Sequence, residues 1–172
     1  MKSVTALTAL VVVLVGSGPA SAHKADLMNT HRAGPIIRND TTMTEMRDWF
    51  GAPDDRRGKQ VGCIRVTEAR WSEGVTVYAS RGDSPNLVLT TFIRERTVES
   101  AEHGDLVIHT KRGLRVGNRE GRLRRLYPGA DPITHAGHTH YRLGTAPSGA
   151  YLMAKVVGNR VVRLENWPFE FC

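Results

Sequence analysis

The 172-residue chain holds only two cysteines, Cys63 and Cys172, and aromatic residues make up 6% of it. Two thiols exclude a scaffold stapled by several bridges, and a chain of this length buries a core without them. Lysine is scarce as well, with five against 19 arginines. Beyond residue 22 no apolar run approaches the roughly 20 residues needed to span a bilayer, so no integral membrane segment is expected after processing. Catalytic signatures are missing too. The chain has no Gly-x-Ser-x-Gly elbow, no His-Glu-x-x-His helix and no glycine-rich phosphate cradle. Its carboxylates stand singly among arginines, unlike the pair that glycoside cleavage requires. These absences point away from an enzyme and from a bound cofactor.

What is present starts at the N-terminus. Lys2 precedes an apolar stretch from Val4 to Val15, interrupted only by Thr5 and Thr8, and Ala20-Ser21-Ala22 supplies the small residues a signal peptidase reads. Residues 1–22 are therefore expected to be a removable secretory signal, leaving an exported, secreted protein from His23 onward. In that oxidising setting the even pair Cys63 and Cys172 is expected to form one disulfide. A bridge closing so long a loop contributes up to about 4 kcal/mol in the chain-entropy model.

Periodicity then divides the chain. Thr42-Met43-Thr44-Glu45 is a capping-box pattern, Met43, Met46 and Phe50 recur at helical spacing, and Gly51 with Pro53 ends the run. A helix over 42–50 follows. Strand-like runs come next at 63–71, 75–79 and 87–93, joined by short turns that favour an antiparallel meander. The second half reads alike. Asn118 is a candidate N-cap, Leu123, Leu126 and Tyr127 form a helical stripe, and strands follow at 138–143, 151–157 and 160–164. Gly158-Asn159 between two valine pairs is a two-residue hairpin signal. The expected fold class is α+β, with two similar helix-then-antiparallel-sheet halves, 23–104 and 105–172, packed as one compact unit. Their helices would lie on one sheet face and leave the other open to solvent or a partner.

The run Gly113-Leu114-Arg115-Val116-Gly117, followed by an arginine-rich helix and Leu126-Tyr127-Pro128-Gly129, resembles a motif of secreted actinobacterial proteins. The doubled plan is similar to the tandem-repeat β-lactamase inhibitory proteins and to the small envelope lipoproteins of the SmpA/OmlA type. The chain departs from the inhibitors in lacking a cysteine pair in each half. The resemblance implies a binding module that presents a concave sheet, and carries over no inhibitory residues.

Charge is distributed unevenly. Residues 23–104 carry 12 basic and 12 acidic side chains, whereas 105–172 carry 11 basic and 5 acidic. Arg115, Arg119, Arg122, Arg124 and Arg125 concentrate the excess around the second helix, and guanidinium suits phosphate and carboxylate. An anionic envelope polymer or an acidic protein surface is the expected partner; nucleic acid does not fit an exported chain. Tyr78, Tyr141 and Tyr151 are candidate anchors. The alternative chemistry is metal binding by His135, His138 and His140, because His138 and His140 would share one face of a strand and imidazole suits zinc or copper.

Overall fold

The computed structural model describes residues 27–81, 86–135 and 137–167; the expected signal segment and Cys172 lie outside them. Three two-residue strands open the fold, β1 (Leu27–Met28), β2 (Arg32–Ala33) and β3 (Ile36–Ile37), followed by helix α1 (Met43–Phe50). Strands β4 (Asp55–Val61), β5 (Ile64–Arg70), β6 (Val75–Ser80) and β7 (Val88–Ile93) come next, then the short β8 (His109–Thr110) and helix α2 (Glu120–Leu126). The chain continues through β9 (Pro132–His135), β10 (His138–Thr145), β11 (Tyr151–Val157) and β12 (Arg160–Trp167).

The fold is mostly β, which corrects the α+β expectation. Its two helices span only eight and seven residues. Nor does each half own a sheet. The large strands form one eight-stranded sheet in the order β4-β5-β6-β7-β12-β11-β10-β9, and antiparallel pairing of β7 with β12 makes it continuous. Short turns fold each four-strand run into a meander. What the periodicity could not show is that the last strands of both meanders, Val88–Ile93 and Arg160–Trp167, are buried enough to pair with each other. A small sheet in the order β3-β2-β1-β8 stands apart.

Local chemistry accounts for the ends and turns. Thr42 Oγ1 accepts from the Glu45 amide at 3.2 Å, and the Glu45 carboxylate accepts from the Thr42 amide at 2.7 Å, so two otherwise orphaned N–H groups are satisfied. Gly51 ends α1 at φ 74°, a conformation that suits glycine. Gly158 and Asn159 take φ 55° and 61°, the left-handed pair that a two-residue hairpin between β11 and β12 requires.

The core lies on one side of the large sheet. Val77, Ala69, Ile93, Leu164, Ala154 and Tyr141 point to it, and it is covered by Met43, Met46 and Phe50 of α1, Leu123 of α2, and Met28, Ala33 and Ile36 of the small sheet. The loop between β7 and β8 adds Val98, Leu106 and Ile108 to the same layer. Among the described residues no element packs on the opposite face, which carries a separate apolar cluster of Val66, Tyr78 and Phe92 flanked by Val61, Ile64, Leu89 and Trp167.

Candidate functional site

Alternation along the strands sets what the sheet face opposite the core presents. In β12, Arg163, Glu165 and Trp167 point outward while Leu164 enters the core. In β10, His138, His140 and Arg142 point outward and Tyr141 inward. The result is a groove of about 690 Å³. It is lined by Lys59 and Val61 of β4 as well as by Ile133 and His135 of β9. These are the two edge strands of the sheet, so the sheet curls until its edges face one space.

Three aromatic rings floor the groove. Tyr78, Phe92 and Trp167 meet edge to face, with centroids 4.7 Å apart for Tyr78–Phe92, 5.3 Å for Phe92–Trp167 and 6.0 Å for Tyr78–Trp167. Cations lie over them, Lys59 Nζ at 4.8 Å from the Tyr78 centroid and the Arg163 guanidinium at 5.0 Å from that of Phe92. Arg142 sits 5.0 Å over Tyr151 at the other end.

Two carboxylates are sunk into this face, and each side chain is only 2% exposed. Glu68 is clamped by Arg57 at 2.9 Å, by Lys59 at 2.9 Å and by Arg70. Burial alone would raise its pKa, but the Lys59 ammonium and the two guanidiniums outweigh burial and hold it down to about 2. Lys59 also donates to the Tyr78 hydroxyl at 2.6 Å, which locks the ring. Glu165 accepts from Arg163 Nη2 at 2.8 Å and from Trp167 Nε1 at 2.7 Å, and His140 Nδ1 stands 3.5 Å away. Here too burial opposes ionisation, while His140, Arg163 and Trp167 together leave the carboxyl below its usual range. The surrounding cations exceed what these carboxylates neutralise. Burial and the Arg163 charge push the Lys155 ammonium down, and burial with Arg163 and Arg70 does the same to Arg94.

The arginine cluster lies elsewhere. Tyr141 points to the core side and its hydroxyl accepts from Arg124 Nη2 at 2.7 Å, so α2 stands behind the sheet, opposite the groove. Arg119, Arg122 and Arg125 converge with Asn159 on a depression of about 590 Å³. Arg124 is turned aside by Glu120 at 2.7 Å, and Arg115 does not line the depression. The expected N-cap is also displaced by one residue. Arg119 caps α2 without a side-chain bond, and Asn118 Oδ1 accepts instead from the Arg115 amide at 3.2 Å.

His135, His138 and His140 do gather at the β9–β10 hairpin, where His135 pairs with His138 and the His135 and His140 rings lie 6.0 Å apart. His140 is buried against Glu165, whereas the other two are exposed. Among the described residues no group of three His, Cys, Asp or Glu side chains is placed to hold a metal ion. Of the candidate tyrosines, Tyr151 lines the groove, Tyr78 is locked into its floor, and Tyr141 is fully buried on the far side. Cys63 occupies the exposed turn between β4 and β5, one residue before the strand expected to contain it; its expected partner Cys172 lies outside the described residues.

Glu68, Glu165, Lys59, Arg163, Phe92 and Trp167 were not singled out by the sequence reading. The signal was there in Arg163-Leu164-Glu165-Asn166-Trp167, whose alternate members carry a charge pair and an indole on one face of a strand.

No family model matches the chain, and no curated protein matches it. Among solved structures it is similar to an extracellular protein containing an SCP domain from Bacillus anthracis, at 8% identity and TM-score 0.44, covering 91% of this chain and 50% of that one. It is similar also to a cysteine-rich secretory protein from Staphylococcus aureus, at 7% identity and TM-score 0.45, over 84% of this chain and 49% of the other. A third, provisionally named a β-lactamase inhibitor protein, from Streptococcus mutans, aligns at 14% identity and TM-score 0.28 over 70% of this chain and 78% of that one. The chain thus spans about half the length of the first two. Similarity at this level assigns neither a family nor an activity, and the expected kinship with inhibitory proteins gains nothing from it. Among the described residues no helix is long and apolar enough to cross a membrane.

Proposed function

We propose that the chain is an exported, non-enzymatic binding protein whose main contact surface is the groove on the sheet face opposite the core, and that its partner is an acidic protein surface. One observation carries the reading. An aromatic floor is rimmed by Lys59, Arg142, Lys155 and Arg163, while Glu165, the one carboxylate among the described lining residues, is already committed to Arg163 and Trp167. Aromatic and arginine side chains around an apolar centre are the groups that concentrate binding energy at protein interfaces. Surplus cations add steering toward an acidic partner and a dependence on salt.

A second surface follows from the Arg119–Arg122–Arg125 depression behind the sheet. Three guanidiniums around a shallow hollow suit the repeating phosphates or carboxylates of an envelope polymer. The two surfaces face away from each other, so one molecule could hold both ligands.

The test uses the mature protein immobilised at low and high salt and challenged with envelope polymer and with culture-medium proteins. Arg142→Ser/Lys155→Ser should weaken capture of an acidic protein about tenfold and leave polymer retention alone. Arg119→Ser/Arg122→Ser/Arg125→Ser should do the reverse. Capture that neither variant alters and salt does not weaken would refute the proposal.

A further inference from the structure

We infer that, given the groove as contact surface, Lys155 is its anchor: the ammonium takes one carboxylate side chain of the partner, from a segment that carries apolar residues beside that carboxylate.

Three of the four cations that rim the groove are committed within the fold. Lys59 is bound to Glu68 and to the Tyr78 hydroxyl, Arg163 is bound to Glu165 over the Phe92 ring, and Arg142 lies over Tyr151. Lys155 lines the same groove, and among the described residues it has no ion pair, hydrogen bond or ring contact.

The sheet register places this lysine between two other bases. His140, Lys155 and Arg163 stand directly opposite one another on β10, β11 and β12. Like charges in such positions are destabilising. Glu165 does not answer Lys155, because it lies one row away, opposite Met153, and is held by Arg163 and the Trp167 indole. Burial and Arg163, helped by Arg94, accordingly outweigh Glu165 and push the Lys155 ammonium down. The pairing of β11 with β12 also shifts immediately after Lys155, so that Val156 meets Val161 instead of Val162. Irregularities of this kind re-aim side chains and recur beside functional sites. A lysine set among bases, against the interest of the sheet, is one the fold does not need for itself.

The neighbours select the ligand. An ammonium is a compact point charge that suits a single carboxylate. The guanidinium fork that would grip a phosphate belongs to Arg163, and Glu165 already occupies its Nε and Nη2 at 2.9 and 2.8 Å. Met153 lies two residues from Lys155 on the groove side of β11, and Ile133, opposite His140 on the edge strand, is 39% exposed. Apolar surface on both sides of the charge favours an acidic residue with apolar neighbours over a run of acidic residues.

The test titrates acetyl-Leu-Glu-Trp-amide and its glutamine twin into the mature protein at low salt, followed by NMR of the lysine side chains. Lys155 should shift most, and the glutamate peptide should bind about tenfold more tightly than the glutamine peptide. Lys155→Met should erase that preference, while its melting temperature stays level or rises because repulsion in the row is removed. A preference that survives in Lys155→Met, or a melting temperature that falls, overturns the anchor and leaves the groove as contact surface. Failure of both peptides to bind the native protein overturns the groove reading along with it.

Discussion

The groove and the α2 depression are both cationic, yet they are built in opposite ways. On the groove's side of the sheet Lys59, Arg57 and Arg70 converge on Glu68 beside the groove, while within it Arg163 is held between Glu165 and Phe92. Behind the sheet, Arg119, Arg122 and Arg125 are exposed and, among the described residues, line a hollow with Gly121 and Asn159. The contrast inverts the impression left by charge along the chain. The densest arginine run makes a loosely held surface patch. Half of the ordered cationic face comes instead from the charge-neutral half, because β-pleating sends Arg57, Lys59 and Arg70 to one side of the sheet. Local charge density marks where cations are many; strand alternation decides where they are organised.

The largest way to break this contrast is through Glu165. Replacing it with alanine leaves Arg163 and the Trp167 indole facing a buried gap without their acceptor, so the variant should lose about 3 kcal/mol of stability in urea unfolding. A loss below 1 kcal/mol would mean that the groove's network is as slack as the helix surface.

Acid separates the regions next. The pKa of Glu68 is lowered on folding, so its contribution is complete above the ordinary value of 4.5 and fades as pH falls toward about 2. Stability should therefore fall across that window in the native protein. Glu68→Gln, already weakened at neutral pH, should give a flatter profile between pH 4.5 and 2 by thermal unfolding. Parallel profiles would show that this cluster does not govern acid sensitivity.

A smaller effect is expected at the point where the helix touches the sheet. The Tyr141 hydroxyl joins Glu120 and Arg124, and it is the polar tie between α2 and β10. Tyr141→Phe should cost about 2 kcal/mol, because the hydroxyl's two hydrogen bonds to charged partners are lost while the ring stays packed. Amide exchange should quicken in α2 before it does in β10. Equal quickening in both would place the tie in the sheet's own stability.

How far the sequence could be read depended on where each element stands in the sheet. Helix α1 was legible in full, since its cap, stripe and stop signals are all local. So was the β11–β12 hairpin, where Gly158-Asn159 leaves few other conformations. The two edge strands were missed. Asp55–Val61 and Pro132–His135 are almost wholly exposed, and an edge strand with no buried face has no alternation to betray it. Joining two meanders into one sheet was beyond reach for another reason: the β7–β12 pairing links residues more than 70 positions apart, and no local pattern encodes it. Candidate residues followed the same rule. The histidines and arginines stood out because they cluster in sequence, whereas Glu68 and Glu165 acquire their role only when folding packs cations around them.

The comparison is sharpened last by the arginines themselves. Arg119→Ser/Arg122→Ser/Arg125→Ser removes three charges whose side chains project from the surface, so stability should change by no more than about 0.5 kcal/mol. Binding to an anionic polymer should respond instead, with the slope of log affinity against log salt becoming shallower by two to three contacts' worth. A stability loss comparable to that of Glu165→Ala would instead make these arginines part of the scaffold, and the distinction between a built cationic face and a merely cationic helix would collapse.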